Sequence, residues 1–317
     1  MKIVMTLLVR DEEDIVDEQL RYHLEHGVDF VVATDHRSVD GTTDILRRYE
    51  REGRLHYIAE QREEYLQAEY VGRMARLAAT DFRADWVINA DADEFWWPRE
   101  GSFAELFAAV PSRFGVVLGC WRHFVMRPDD DRAFFERMIW RRRPSSDASD
   151  PYHPSVKVAH RSHPQVELMQ GNHKVLTESL VALPEWLPIE VLHFPLRSRA
   201  QLAGKVSKVS VEQLVRQPPV WMRVAGELES SGPERVAERF VVDDDRLAAG
   251  LGSGALTRDT RVRDALRRTE SAPPSVADDA ALARELDDLP VASCSRLAPR
   301  VDALRRRIAA IDGGADA

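Results

Sequence analysis

The sequence predicts an α/β protein, a sandwich of helices around a mostly parallel central sheet, followed by a helical C-terminal region. Three observations carry this expectation. Four segments within the first 91 residues are apolar on both faces, as strands covered on two sides must be. The stretches between them repeat their apolar residues every three or four positions, the helical period. Two of the strands end on an aspartate, at the edge of the sheet where such folds bind ligands.

Taken in order, "KIVMTLLV" (Lys2–Val9) is the first strand. It has one lysine and no small-residue cleavage site after its apolar run, so it is read as a core strand and not as a signal peptide. A helix follows with Val16, Leu20 and Leu24 inward, stopped at Gly27. "VDFVVATD" (Val28–Asp35) is the second strand, and a helix carrying Ile45, Leu46 and Tyr49 comes next. "RLHYIAE" is the third strand, Glu63 to Thr80 the longer third helix, and "DWVINAD" the fourth strand. After a helix over Phe103–Val110, "FGVVLGCW" is the fifth strand. A charged, partly loop-like excursion precedes three short strands, "SVKVAHR", "QVELMQGNHKV" and "IEVLHFP", and a helix from Ser198 to Val215. Past Pro218 and Pro219 the pattern becomes helical pieces joined by Gly- and Pro-rich stretches. The division expected from composition is one domain over 1–215, in two parts (1–120 and 121–215), and a helical extension over 216–317. The last helix has Leu297, Val301, Leu304, Ile308 and Ile311 in a narrow stripe. Packing on its own domain is the first reading of that stripe, and a homodimer seam the second.

Hydrophobic residues make up 44% and charged residues 31% of the chain, ordinary for a globular protein. No apolar run reaches the ~18 residues of a transmembrane helix. Two cysteines far apart, Cys120 and Cys294, exclude a thiolate metal site and suit a cytoplasmic setting. A net charge of −9 argues against nucleic acid as partner. Docking at an inner membrane face would need the Arg-rich stretch around Arg137–Arg143 or the last helix.

The chemistry concentrates in "NADADEF". Asp91, Asp93 and Glu94 crowd three carboxylates at a strand end, which is costly without a counter-charge. Hard cations such as Mn²⁺ and Mg²⁺ take oxygen ligands and share themselves with phosphates, so a divalent ion is the expected partner. An acidic loop that merely caps the next segment is the alternative.

The segments "VRDEEDIVDEQLRYHLEHGVDFVVATDHRSVDGTTDILRRY" and "WVINADADEF" together resemble the family-2-type glycosyltransferases of GT-A fold, in the branch containing a D-A-D-E-F pattern. "QGNHKV" and "VLHFPLRS" are similar to later segments of that branch. The resemblance implies a GT-A-like, Rossmann-type sandwich and a metal-dependent transfer from a nucleotide-diphosphate sugar, a UDP-sugar being favoured. It implies that Val9, Arg10 and Glu12 face the nucleotide, that Asp35 contacts the base and that Asp40 closes the following turn. Asp91 would contact the donor's ribose side, Asp93 would ligate the metal, and His193 would complete the metal site. Asp11 replaces the usual Asn, and His36-Arg37 the usual Asn-Gly, which puts the base-side contacts in doubt.

An inverting transfer needs a general base for the acceptor hydroxyl. Glu167 and His173 are the candidates, each with a plain strand-edge reading beside it. Lys157, Arg197 and Arg141–Arg143 are the cations available to a leaving diphosphate. Trp96, Trp97 and Trp121 suit either sugar stacking or the core. The acceptor, a carbohydrate, a lipid-linked intermediate or a small molecule, would be met by the region after residue 120. Two further readings stand beside the transferase: a non-catalytic nucleotide-sugar or carbohydrate-binding protein of the same fold, and a divalent-metal phosphohydrolase.

Overall fold

The run Ile3–Val9 forms β1, and all seven of its residues are buried. A strand apolar on both faces is stable only when flanked by strands at its edges and helices on its faces. β2 (Phe30–His36) and a further strand, Trp86–Asp91, pair with it in parallel on either side, and Leu55–Glu60, β3, extends the sheet beyond β2 in parallel. Numbered in chain order, Trp86–Asp91 is β4 and Glu94–Pro98 is β5. The remaining strands of this sheet are β6 (Val116–His123), β8 (Val156–Arg161) and β9 (Ile189–His193), and the full order is β3-β2-β1-β4-β8-β6-β9-β5. β8 runs antiparallel to β4, and β6 antiparallel to β8, so the parallel half of the sheet is its N-terminal half.

The computed structural model describes residues 1–143, 155–183, 186–207, 232 and 235–268 of the 317. They group into two compact units. One is Met1–Trp121 with Ser155–Val191, and the other is made of the described residues of Arg122–Pro154 and Leu192–Glu270. This grouping follows contacts and interleaves the chain, whereas boundaries at residues 120 and 215 follow composition.

In the first unit, α3 (Gln67–Thr80) lays Tyr70, Val71, Met74, Ala75 and Ala78 against Val4, Leu8, Val32 and Val87 of the sheet. α1 (Val16–Glu25) meets Met5 through Gln19, whose Nε2 lies 3.5 Å from the Met5 sulfur. α2 (Thr42–Arg51) is tied to α1 where Arg48 and Tyr49 both reach Asp17. Inside the sheet, Thr6 Oγ1 donates to Asn89 Oδ1 at 2.9 Å and Asn89 Nδ2 donates to the Val158 carbonyl at 3.2 Å. Buried polar groups of this kind must be paired. Here the pairing bridges β1, β4 and β8 just below the carboxyl end of β4. α4 (Phe103–Ala108) starts in a Ser102–Glu105 capping box, its N-cap side chain satisfying one otherwise unpaired helical N–H.

Several elements differ from the sequence-based expectation. α3 begins at Gln67 instead of Glu63. β5 was not anticipated, because its apolar residues follow directly on three acids; Phe95 and Trp96 are nonetheless fully buried in it. The expected strand "QVELMQGNHKV" is a short hairpin instead, with Leu168 bridged to Val175 around a 3₁₀ turn at Gln170–Asn172. In the second unit the charged excursion contains α5 (Phe134–Arg137) and β7 (Trp140–Arg142), and β7 pairs antiparallel with β10 (Leu256–Arg258). These two strands are three residues long and Arg-rich, too short for periodicity to reveal. α6 covers Arg199–Ser207 of the expected Ser198–Val215 helix, the remainder lying outside the described residues. Two further helices, α7 (Asp244–Gly252) and α8 (Arg261–Arg267), belong to the expected helical region, while the final helix and its apolar stripe lie outside the described residues. Among the described residues no helix is long and apolar enough to cross a membrane.

Candidate active site

The sheet register places the two aspartates around one strand. Val9 pairs with Asp35 and Leu8 with Asp91, so the carboxylates stand on either side of the end of β1. Two inter-strand spacings put their backbones roughly 10 Å apart.

The loops after β1 and β2 are laced together. Asp11 Oδ1 accepts from the Val39 N–H at 2.6 Å, and the Asp11 N–H donates to Ser38 Oγ at 2.9 Å. Asp40 accepts from the Glu13 and Thr42 N–H groups, and the Glu12 N–H donates to Thr42 Oγ1. This lacing holds Asp11 at φ +52° and Arg37 at φ +60°. Arg37 thus adopts the left-handed backbone that an Asn-Gly turn takes without strain, so the substituted loop keeps that turn at some conformational cost. A cleft of about 440 Å³ opens here, lined by Arg10, Asp35, Arg37, Ser38, Thr43 and Tyr57 among others. Asp35 Oδ1 accepts from the Ser38 N–H at 3.0 Å, while its Oδ2 accepts from Thr43 Oγ1 at 2.5 Å and from the Tyr57 hydroxyl at 3.1 Å. Arg10 Nε is buried and has no hydrogen-bond partner among the described residues.

On the other side of β1, the counter-charge for the three-acid motif is a lysine. Lys157, on β8, is 1% exposed, and its Nζ lies 2.5 Å from Asp91 Oδ2 and 3.0 Å from Glu94 Oε1. Burial alone would lower the lysine's pKa, but the two carboxylates outweigh it and hold the ammonium firmly charged. Trp121 Nε1 donates to Glu94 Oε1 at 2.7 Å, and the Asp91 N–H donates to Glu94 Oε2 at 3.1 Å. Asp91, 27% exposed, also accepts from Gln67 Nε2 at 3.2 Å and Asn172 Nδ2 at 3.4 Å.

The hairpin carrying "QGNH" is docked on this cluster. Gly171 (φ +81°) and Asn172 (φ +58°) make the turn, and the Gly171 N–H donates to Gln67 Oε1 at 3.1 Å. A Cβ on Gly171 would lie 2.6 Å from the His173 ring, so the imidazole packs directly over the glycine. His173 Nδ1 is 2.7 Å from the Val156 carbonyl, and the ring meets Trp121 edge-on at 5.2 Å. A carbonyl can only accept, so Nδ1 carries the proton and Nε2 the lone pair.

Of the residues singled out from sequence, Arg10 and Asp35 line the cleft, Val9 pairs with Asp35, and Glu12 and Asp40 lie in the loops laced beside it. Asp91 and Lys157 form the cluster, His173 packs on its Trp121, and Asp93 follows in the turn after β4. Glu167 is elsewhere: it is exposed and lines a separate surface cleft with Arg76, His163 and Thr177. Val166 and Leu168 point into the core, and strand alternation turns Glu167 away from it. Lys157 lies behind the carboxylates, as their ion-pair partner. In the second unit, His193 Nδ1 is 3.0 Å from His123 Nδ1, so one ring donates and the other accepts. Arg197 is fully buried, with Nη1 donating to the Phe194 carbonyl, and Arg141 is paired with Asp259 at 2.9 Å.

Two residues had no motif to announce them. Gln67 opens α3 and ties Asp91 to the hairpin. Tyr65, half-buried with its ring edge-on to His36 at 5.3 Å, has its phenol pKa raised by burial and by the charges of Asp91, Glu12 and Asp93. Both fall in the stretch Glu63 to Thr80 read as one long helix, and nothing in their spacing marks them.

Among the described residues no group of three or more His, Cys, Asp and Glu side chains is arranged to hold a metal ion. Lys157 is paired with two of the three motif carboxylates. Hard cations in nucleotide sites are commonly held by one or two carboxylates with phosphates completing the shell. Asp93, buried in the turn between β4 and β5, is the motif carboxylate that Lys157 does not pair with, and the cluster does not fit a cage made of protein alone.

The family model described as glycosyltransferase family 92 matches residues 5–164, just over half of the chain. No curated protein matches the sequence. Among solved structures, Staphylococcus aureus TarS 1-349 in complex with UDP-GlcNAc is similar at 11% identity over 66% of each chain, with a TM-score of 0.39. The chain thus spans just under two thirds of that structure's length. The mannosyltransferase PcManGT from Pyrobaculum calidifontis, in complex with GDP-Man and Mn²⁺, is similar at 16% identity over 93% of this chain and 82% of that one, with a TM-score of 0.36. Glucosyl-3-phosphoglycerate synthase from Mycobacterium tuberculosis is similar at 18% identity over 39% and 43%, with a TM-score of 0.27. All three likenesses are weak in both identity and superposition.

Proposed function

This chain belongs to glycosyltransferase family 92, and we propose that it moves a sugar, with inversion, from a nucleoside-diphosphate sugar to a hydroxyl acceptor with the help of Mn²⁺ or Mg²⁺. The matching model is that of family 92; the family-2-like motifs of the first 120 residues enter this reading as a resemblance. The observation that supports it most is a cleft at Asp35 and the acidic cluster at Asp91 on either side of β1, at the same sheet edge.

The cleft suits uracil. A carboxylate offers about four acceptor positions, and Asp35 has given three to Ser38, Thr43 and Tyr57. One position remains, which matches the single N3–H of uracil and falls short of the N1–H and N2–H₂ of guanine. The orphan Arg10 Nε–H supplies a donor for a base carbonyl. Asp91, held in place by Lys157, Gln67 and Asn172, is proposed to meet the ribose, and Asp93 to ligate the metal. A bound cation would neutralise the departing diphosphate. His173 is the proposed base: its Nε2 takes the acceptor proton as the hydroxyl oxygen attacks the anomeric carbon and the bond to the diphosphate breaks. The Val156 carbonyl holds the proton on Nδ1, the tautomer this role requires.

The test is release of nucleoside diphosphate from UDP-, dTDP- and GDP-sugars by the protein and its Asp93→Ala and His173→Ala variants. Turnover of a UDP-sugar that is lost in both variants is the expected result. Turnover confined to GDP-sugars would overturn the base assignment. Tight nucleotide binding with no turnover would favour a non-catalytic binding protein.

A further inference from the structure

Lys157 sits where a metal ion would be expected. Its ammonium bridges Asp91 and Glu94, buried at 1% exposure, with the Trp121 ring centroid 5.1 Å from Nζ. The remaining acceptor positions of those carboxylates are largely taken by fixed donors: Gln67 and Asn172 on Asp91, and Trp121 with the Asp91 N–H on Glu94. Asp93 is not one of the lysine's ion-pair partners. A second cation placed among these oxygens would face an ammonium within a few ångströms that already offsets one of the two negative charges it bridges, and acceptor positions already filled by neutral donors.

We propose that Lys157 is a resident cation that reserves the acidic cluster, so that a divalent ion is held only together with the donor's diphosphate. It is a positioning residue: it fixes Asp91 and Glu94 and sets the order of binding, nucleotide with metal instead of metal first. The inference rests on the donor-site reading above, and deepens it by assigning the lysine a role that neither phosphate binding nor simple packing would require. Removing the positive charge takes from Asp91 and Glu94 the ammonium they share, and carboxylate oxygens are the ligands a hard cation such as Mn²⁺ prefers.

The experiment is Mn²⁺ binding followed by electron paramagnetic resonance, without nucleotide and with UDP, for the wild-type protein, Lys157→Gln and Lys157→Arg. Lys157→Gln is expected to bind nucleotide-free Mn²⁺ at least about tenfold more tightly than wild type, the lost like-charge repulsion being large at this separation. Lys157→Arg, which keeps the charge, is expected to stay near wild type. In melting curves Lys157→Gln should lose thermal stability in EDTA and regain it with Mn²⁺, while the wild-type midpoint stays still. A lysine serving only as packing would not produce that metal-dependent rescue. Equal Mn²⁺ affinity in wild type and Lys157→Gln would overturn the proposal. Should the variant not fold, the wild-type arm decides: Mn²⁺ bound as tightly without UDP as with it overturns the proposal, and binding that needs UDP supports it. If UDP does not bind at all, the donor reading fails, and the nucleotide-free comparison still judges Lys157.

Discussion

Asp35 and Asp91 are both aspartates at the ends of parallel strands that flank β1, yet their surroundings set them to different tasks. Asp35 is held by three neutral donors and keeps room for one more. Asp91 is paired with a buried ammonium and two amides. Replacing Asp35 with Asn removes the charge that would hold a base N–H, and UDP affinity should fall by about tenfold, the value of one charge-assisted hydrogen bond. Tyr57→Phe frees an acceptor position on Asp35, so the preference for UDP over GDP should narrow. Calorimetry with both nucleotides reads both effects. The identity of these aspartates was legible in the sequence, because acids ending apolar strands are conspicuous. The counter-charge was not. Lys157 lies 66 positions from Asp91 in the chain, and only the pairing of β8 with β4 brings them together.

At the scale of elements, the site depends on how loops are held. The hairpin carrying His173 turns at Gly171, whose positive φ an L-residue adopts only with strain. In Gly171→Ala the new methyl would press on the imidazole, which sits 2.6 Å from where it would be. The expected result is a turnover loss of at least about tenfold, since small misplacements of a reacting group are costly. Nucleotide affinity should fall less than turnover, because the hairpin reaches the ribose side only through Asp91 while the Asp35 cleft lies across β1. Equal losses in both would show that the hairpin holds the nucleotide as well. The strands and helices of the first 91 residues were readable because two-sided burial and helical period leave plain patterns. β5 and the "QGNH" hairpin were not. In each, a tertiary partner decided the conformation: β9 for β5, and Asp91 with Gln67 for the hairpin.

For the molecule as a whole, two fully buried histidines couple the first unit's stability to pH. His23 accepts the Trp96 N–H on Nε2 at 3.0 Å, and burial lowers its pKa from 6.5 to about 3. Burial likewise lowers that of His160 to about 4. In both cases the folded value is depressed, so the folded protein binds fewer protons than the unfolded chain as pH drops below 6.5. Their contribution is complete above pH 6.5 and is lost as pH falls towards the folded values. By linkage each is worth about 2 kcal/mol between neutral pH and pH 5. The melting temperature should therefore fall steadily from pH 7 to pH 5, and His160→Gln should flatten the slope by about half. A midpoint constant over that range would contradict the burial of both rings.

The proposed function comes down to whether this sheet edge holds a nucleoside diphosphate through Asp93 and a divalent cation. Calorimetric titration of UDP into wild type and Asp93→Ala, each with Mn²⁺ and with EDTA, tests this most directly. The account predicts binding by the wild type with Mn²⁺ that weakens by about tenfold or more in EDTA and in the variant, the scale expected when a ligand of a metal clamp is removed. UDP binding that is indifferent to both EDTA and Asp93→Ala, or no binding under any condition, would contradict it.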